Sequence, residues 1–382
     1  MKKVFFTGTH RVRTPEETYA LLAPLLREFG ITRLADVTGL DTLGIPVVMS
    51  VRPLAFTLSV SQGKGVSLPL AKVSAAMEAI ELWHAEHAVP PPTVRDASAA
   101  ALDLPYDVAT LAWPVRHLIT GRTRLDWIEA QALPGGGTVP LPRAAVHLGP
   151  APDTWHVPGL AADSNGLASG NTLAEATVHA LYEVFERDSL AGFGEVPDPE
   201  RRYIDPLTVD DEHCATLISR ILSAGCFLEL TEISGRPGAE VACMRARLWH
   251  EDLASTLVRG TGAHADPAIA LSRALTEAVQ SRLTQIVGAR DDITPAVYRT
   301  EQFARPSAPG RTQRWEDILS AYPRRLYATD TAETDWLAAH MRELTGQSPL
   351  RVVLAERTEL AVVKIVCPTL RHIPSHRGAP AR

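Results

Sequence analysis

Asn171 to Asp188 reads NTLAEATVHALYEVFERD, a run free of glycine and proline in which acids recur at helical spacing. At roughly 100° per residue, Asn171, Glu175, Glu183 and Glu186 fall within an arc of roughly 120°, so the segment is read as a helix with one polar face. Two further segments repeat the logic. SAAMEAIE (Ser74 to Glu81) places Ser74, Glu78 and Glu81 within an arc of roughly 60°, and ALSRALTEAVQSR (Ala270 to Arg282) sets Glu277 and Gln280 three apart, with Arg273 four before Glu277.

Charge pairing along these helices is unusual. Glu78 has Leu82 four residues on, Glu81 has Ala85 and Glu175 has His179, so the Glu-to-Lys pairing of ordinary exposed helices is missing. Glu183 and Glu186 form a like-charge pair, with Arg187 four residues after Glu183. A single ExxE pair is common on a solvated helix face. Two rows of acids preceded by Ser and Asn point instead to a cation, and hard oxygen donors without His or Cys suit Mg²⁺ or Ca²⁺ better than zinc. The EF-hand loop spacing is absent, which favours Mg²⁺. Arg187 and Arg273 are candidates for phosphate contacts, because a guanidinium fork matches phosphate oxygens.

The wider composition sets limits. The chain has 382 residues, 45% apolar, with a formal net charge of −6, enough for a large core. Its Lys and Arg residues are scattered, so it lacks the basic footprint of a nucleic-acid binder. Cys214, Cys226, Cys243 and Cys367 form no CxxC or Cys/His ligand pattern and read as buried thiols. The N-terminal apolar run is too short for a signal peptide and no stretch approaches a membrane span. The expectation is a cytoplasmic enzyme or binding protein.

Along the chain, PEETYALLAPLLREFGI (Pro15 to Ile31) predicts a helix ended by glycine, and Ile45 to Val60 a strand-like stretch meeting the polar SQGKG (Ser61 to Gly65). The Gly63–Lys64–Gly65 turn has the ingredients of a phosphate loop but not the Walker A spacing. DWIEAQAL and VPLPRAAVHL flank PGGG as a hairpin, DSNGLASGN (Asp163 to Asn171) reads as a flexible loop, and FLELTEIS with EVACMRARLW as a second hairpin. A helix near DWLAAHMREL and strands near RVVLAE and LAVVKIVCP follow. Interspersed strands and helices predict an α+β fold of mixed sheets with packed helices. Residues 1–60 are expected to be integral to one functional domain whose main part is 61–382. His10 and His264 could do acid–base work, and no GxSxG elbow or Ser-His-Asp order appears.

SQGKG, AKVSAAMEAIE, SNGLASGNTLAEATVHALYEVFERDS and GTGAHADPAIALSRALTEAVQSR closely resemble, in order, the motifs of the YcaO family of ATP-dependent peptide-modifying enzymes. The match is strong over roughly residues 45 to 290, and four ordered motifs make it specific. The resemblance implies ATP and Mg²⁺ in a pocket without a P-loop. It maps Ser74, Glu78 and Glu81 onto the first nucleotide and metal motif, Asn171, Glu175, Glu183, Glu186 and Arg187 onto the second, Glu277 and Gln280 onto the third, and Lys64 beside them. The glutamates of the first two motifs are then the metal set; Lys64, Ser74, Asn171, Arg187, Arg273, Glu277 and Gln280 are the nucleotide set.

The reaction so implied is O-phosphorylation of a peptide backbone amide, followed by attack of a side chain, an amine or sulfide. Azoline-forming members typically end in a proline-rich tail, whereas Pro368, Pro374 and Pro380 are dispersed here. GTHRVRTPEET, GITRLADVTGLDTLGIPV and SVRP resemble the subgroup encoded with a TfuA-like partner and associated with thioamides. The expected partners are a ribosomally made precursor peptide and a TfuA-like protein, and a homodimer is the default oligomer. The rivals are cyclodehydration to an azoline or amidine, and a non-catalytic nucleotide-binding scaffold.

Overall fold

Thr14 and Glu17 form a reciprocal capping box at the start of helix α1 (Pro15–Leu22), just after a hairpin of β1 (Val4–Phe6) and β2 (Thr9–Arg11). The computed structural model describes residues 2–371, apart from positions 7, 112, 114–118, 150–161, 195, 197–199, 251–256 and 294–310. The tail prolines Pro374 and Pro380 therefore lie outside the described residues. Helix α1 is shorter than its spacing predicts: it stops at Leu22 and passes into a 3-10 turn at Ala23–Leu25. Pro24 lacks the N–H needed to extend the helix.

An antiparallel sheet follows in the order β3 (Arg33–Asp36), β4 (Val47–Val51), β5 (Val60–Lys64). The run from Ile45 to Val60 is thus strand β4 and a connection that reaches the first residue of β5. Helix α2 (Leu68–His87) comes next, with Ser67 accepting from the Leu70 N–H. A six-stranded sheet runs β6 (Val94–Ser98), β7 (Arg124–Ala132), β15 (Leu350–Glu356), β16 (Ala361–Val366), β9 (Leu167–Gly170), with β8 (Thr138–Pro142) also pairing β7 as the predicted hairpin. From β9 the chain enters helix α3 (Leu173–Phe193), capped by Thr172.

The remaining sheet has five strands, β13 (Val258–His264), β12 (Ala242–His250), β11 (Cys226–Glu232), β10 (Arg202–Ile204) and β14 (Arg311–Gln313), with β14 parallel to β10. Helices α4 (Glu212–Ser223) and α5 (Pro267–Val287) pack on one side of it, and α6 (Trp315–Ala321) and α7 (Asp330–Thr345) precede the final strands. The architecture is α+β, as the interspersed elements predict.

Three strands and the helices that follow them share one packing device. A Cβ added at Gly63 of β5 would lie 2.0 Å from the Ala75 nitrogen and 2.3 Å from the Ala71 oxygen of α2. One at Gly170 of β9 would lie 2.5 Å from the Ala176 nitrogen of α3, and one at Gly260 of β13 2.2 Å from the Ala274 oxygen and Ala278 nitrogen of α5. Glycine in the strand and alanine in the helix together let backbone approach backbone. SQGKG is therefore a buried strand rather than a phosphate loop, and LASG within the expected flexible loop is strand β9.

Apolar clusters fix these layers. Ile80 of α2 packs with Trp127 and Val362 of the six-stranded sheet, Leu275 of α5 with Ile221 and Met244, and Leu181 of α3 with Leu337 and Val363. Each such side chain contributes about 1.5–3 kcal/mol by leaving water. All four cysteines are free and buried, as their spacing predicts.

Candidate active site

The polar faces of α2, α3 and α5 meet across a cavity of about 690 Å³, bordered also by β5 and by the segment joining β2 to α1. Ser74, Glu78, Glu81, Asn171, Glu175, Glu183, Glu186, Arg187, Glu277, Gln280 and Lys64 all line it. Arg273 does not. Its Nη1 donates to the Ala263 carbonyl at 3.1 Å and its guanidinium lies 5.6 Å from the Tyr182 ring centre. The spacing that aligned Arg273 with Glu277 ignored β13, whose carbonyl captures the side chain. Burial and the nearby Arg11 push its pKa down to about 10.

Glu81 ties α2 to β9, its Oε1 accepting from the Ser169 N–H at 2.8 Å and hydroxyl at 2.6 Å. Burial pushes its pKa up to about 8; Ser169 opposes that, while Glu78 and Glu183 add to it. Glu183 is pushed up to about 7 by burial, against Arg187 at 3.7 Å. Glu186 accepts from the Thr261 hydroxyl at 2.5 Å and is raised by burial and by Glu277, against Arg187 at 3.9 Å. For Glu277 the balance reverses: burial pushes upward, but Lys64 at 2.6 Å and Arg187 hold it below the usual range. Gln280 Nε2 donates to the Gln62 carbonyl at 2.7 Å.

Bases are thus less scarce than the sequence predicts, because the fold imports Arg11, Arg13, Lys64 and Arg290 to the cavity wall from distant segments. They do not reverse the effect of burial on Glu81, Glu183 and Glu186. Glu175 differs from these acids. Its Oε1 accepts from the Asn171 N–H at 3.1 Å and amide at 3.0 Å, its Oε2 from the Val12 N–H at 2.9 Å, and Arg11 Nε lies 3.8 Å away. Thr18 also donates to Asn171 at 2.9 Å. Asn171 and Glu175 therefore hold the N-terminal segment over the start of α3.

Sequence reasoning missed Arg11, Ser169, Thr261 and His179. The first three leave no local signal, since each joins the site through pairing between distant strands and helices. His179 was visible: at roughly 100° per residue it falls inside the arc of the acids on α3, and it lines the cavity with its pKa held well below the ordinary value by burial and nearby cations, Arg11 foremost. His10 and His264 are not in the wall. His264 accepts from the Asp266 N–H at 2.9 Å and stacks on Tyr182, whose hydroxyl donates to Glu333 at 2.5 Å, and His10 packs edge-on against His264.

Among the described residues, no three His, Cys, Asp or Glu side chains converge as a ready-made metal cluster. The donor chemistry nevertheless fits a hard dication. The acids supply oxygen alone, and Glu81, Glu183 and Glu186 are raised by burial, the penalty that a bound cation relieves.

The family model described as YcaO cyclodehydratase, ATP- and Mg²⁺-binding, matches residues 62–371. The chain belongs to the YcaO family. A Rhizobium leguminosarum bv. trifolii protein described as an uncharacterized protein in the tfuA 3′ region is 40% identical over 306 residues, covering 76% of this chain and 70% of the relative. YcaO from Methanopyrus kandleri, solved bound with AMPPCP and Mg²⁺, matches with a TM-score of 0.73 at 23% identity, over 96% of this chain and 93% of its own. A heterocyclase solved in complex with substrate and cofactor matches with a TM-score of 0.76 at 20% identity, over 95% of this chain and 53% of its own. This YcaO chain thus spans about half the length of that heterocyclase, and at such identities the likeness shows a shared fold. Among the described residues, no helix is long and apolar enough to cross a membrane.

Proposed function

We propose that this YcaO protein uses ATP and Mg²⁺ to phosphorylate the oxygen of a peptide backbone amide. A sulfur nucleophile then attacks the activated carbon, phosphate leaves, and a thioamide remains in a ribosomally made precursor peptide, with a TfuA-like protein as partner. The observation that carries the nucleotide half is the set of high-titrating glutamates, the half-buried Glu81 and Glu183 and the buried Glu186, facing one cavity beside Lys64 and Arg187. The name of the Rhizobium relative, placed in a tfuA 3′ region, supports the thioamide half.

Glu78, Glu81, Glu183 and Glu186 would hold Mg²⁺. Bound there, the ion would neutralise charge on the phosphate oxygens. Ser169 and Thr261 fix the rotamers of Glu81 and Glu186 by hydrogen bonds from neighbouring strands, which is the preorganisation that electrostatic catalysis requires. Lys64, Arg187 and Arg11 supply positive charge for the phosphates; Ser74, Asn171, Glu277 and Gln280 complete the nucleotide wall. Glu175 serves as a positioning residue through Asn171 and Val12.

The family description favours a second reading, cyclodehydration to an azoline or amidine. Mass spectrometry of a precursor peptide treated with the protein, a TfuA-like partner, ATP, Mg²⁺ and sulfide separates the two. Oxygen-to-sulfur exchange makes the product heavier. A product lighter by one water overturns the thioamide reading and supports the second.

A further inference from the structure

Helix α3 continues beyond the cavity, and the sheet face bordering its C-terminal turns is basic. Alternate residues of a strand share one face. On β12 these are Cys243, Arg245, Arg247 and Trp249, and the register sets Arg245 opposite Thr261 and Thr231, Arg247 opposite Arg259 and Glu229, and Trp249 opposite Phe227. Thr261 is the residue whose hydroxyl donates to Glu186 in the cavity wall. The arginines therefore begin one cross-strand step from the proposed metal site.

Arg245 is only 8% exposed, and its Nε lacks a hydrogen-bond partner among the described residues. Its guanidinium stands 5.1 Å from the ring centre of Phe193 on α3. Burial pushes its pKa down to about 10, with Arg259 and Arg247 adding to the effect. Arg247 has a carboxylate partner, Glu229 at 2.9 Å; among the described residues no carboxylate lies within ion-pairing distance of Arg245 or Arg259. A buried guanidinium surrounded by like charge calls for an anion. Past the arginines, Phe227 and Trp249 stack at 5.5 Å with Phe227 44% exposed. From Arg245 to Trp249 the strand spans about 13 Å, the reach of about four residues of extended peptide.

We infer that this face is a docking track for an acidic segment of the peptide substrate, with carboxylates on Arg245 and Arg259 and an apolar side chain on the Phe227–Trp249 pair. The neighbouring residues of that peptide then enter the cavity past Thr261. The inference rests on the peptide reading proposed above. Charge complementarity selects the occupant: Arg245, Arg247 and Arg259 share this face with Glu229 as the one ion-pairing carboxylate among the described residues, so an acidic peptide is attracted here although the chain as a whole carries −6.

The probe is a short fluorescein-labelled peptide rich in Glu with one Phe, compared by anisotropy with a twin carrying Gln for each Glu. The acidic peptide binds about tenfold tighter than the twin, and added salt narrows the gap. Arg259→Glu, at an exposed position, removes that preference, as does Arg245→Met provided its melting curve matches the wild type, while Arg259→Lys keeps most of it. Equal binding of the two peptides, or a full preference retained in Arg259→Glu, overturns the inference. So does an oligothymidine that displaces the acidic peptide and binds more tightly. Calorimetric titration of Mg²⁺-ATP into the same wild-type protein separates the levels. No nucleotide binding overturns the proposed function, whereas nucleotide binding without acidic preference overturns the docking track alone.

Discussion

Lys64 Nζ lies 2.6 Å from Glu277 Oε2, an ion pair between residues 213 apart in the chain. It joins the end of β5 to α5 across the cavity, and it is why Glu277 titrates low while the neighbouring acids titrate high. Both side chains are partly exposed, so the pair itself contributes only about 1 kcal/mol or less. Lys64→Met should therefore shift the melting temperature slightly but weaken Mg²⁺-ATP about tenfold by calorimetry, as expected for a phosphate-facing cation. A large fall in stability with unchanged nucleotide affinity would show Lys64 to be a strut alone.

Glu186 is 9% exposed and its charged form is penalised by burial and by Glu277. Replacement by the neutral isostere removes that penalty. Glu186→Gln should raise stability in the absence of Mg²⁺ by roughly 1 kcal/mol while abolishing ATP turnover, and Mg²⁺-ATP should no longer raise the melting temperature as it does for the wild type. A variant that melts lower and still turns over ATP contradicts the assignment.

Gly63→Ala places a methyl group 2.0 Å from the Ala75 nitrogen and 2.3 Å from the Ala71 oxygen. Backbone cannot step aside as a side chain can, so the expected loss is about 3 kcal/mol or more in chemical denaturation. Gly137→Ala, where nothing lies within 4 Å, should stay within about 0.5 kcal/mol of the wild type. Similar denaturation midpoints for the two variants would refute the close approach of β5 to α2.

His84 is 1% exposed, donates from Nδ1 to the Ile80 carbonyl at 2.8 Å and packs on Phe29. Burial pushes its pKa from 6.5 down to about 4. Between these values the unfolded chain takes up a proton that the folded chain refuses. The contribution of His84 to stability is therefore complete above pH 6.5 and declines as pH falls toward 4, by up to about 3 kcal/mol. Unfolding free energies measured across this window should fall more steeply for the wild type than for His84→Gln. Parallel curves would mean that His84 is already accessible to protons in the native state.

The helical arcs of Glu78 with Glu81, and of Glu175 with Glu183 and Glu186, were legible because they depend on spacings of three, eight and eleven residues. So were the hairpins of β7–β8 and β11–β12, whose turn residues lie between alternating runs. Gly63 and the glycine of LASG were legible as glycines but not as strand residues: their role depends on a helix backbone approaching from the next element, which the spacing of polar residues does not reveal. Arg273 shows the converse failure. Its register on α5 is sound, but Ala263 of β13 draws its guanidinium away from the cavity.

The sequence by itself determined where the three acidic helices lie and which of their residues share a face, since both are set by the helical repeat. Only the tertiary structure decided that the three faces meet around one cavity, that Glu175 is occupied by the N-terminal segment, and that Arg245 is buried one cross-strand step from Thr261. The physical reason is range. Helical periodicity and capping act over a few residues, whereas desolvation and ion pairing are set by what the fold brings alongside, as Lys64 and Glu277 show across 213 residues.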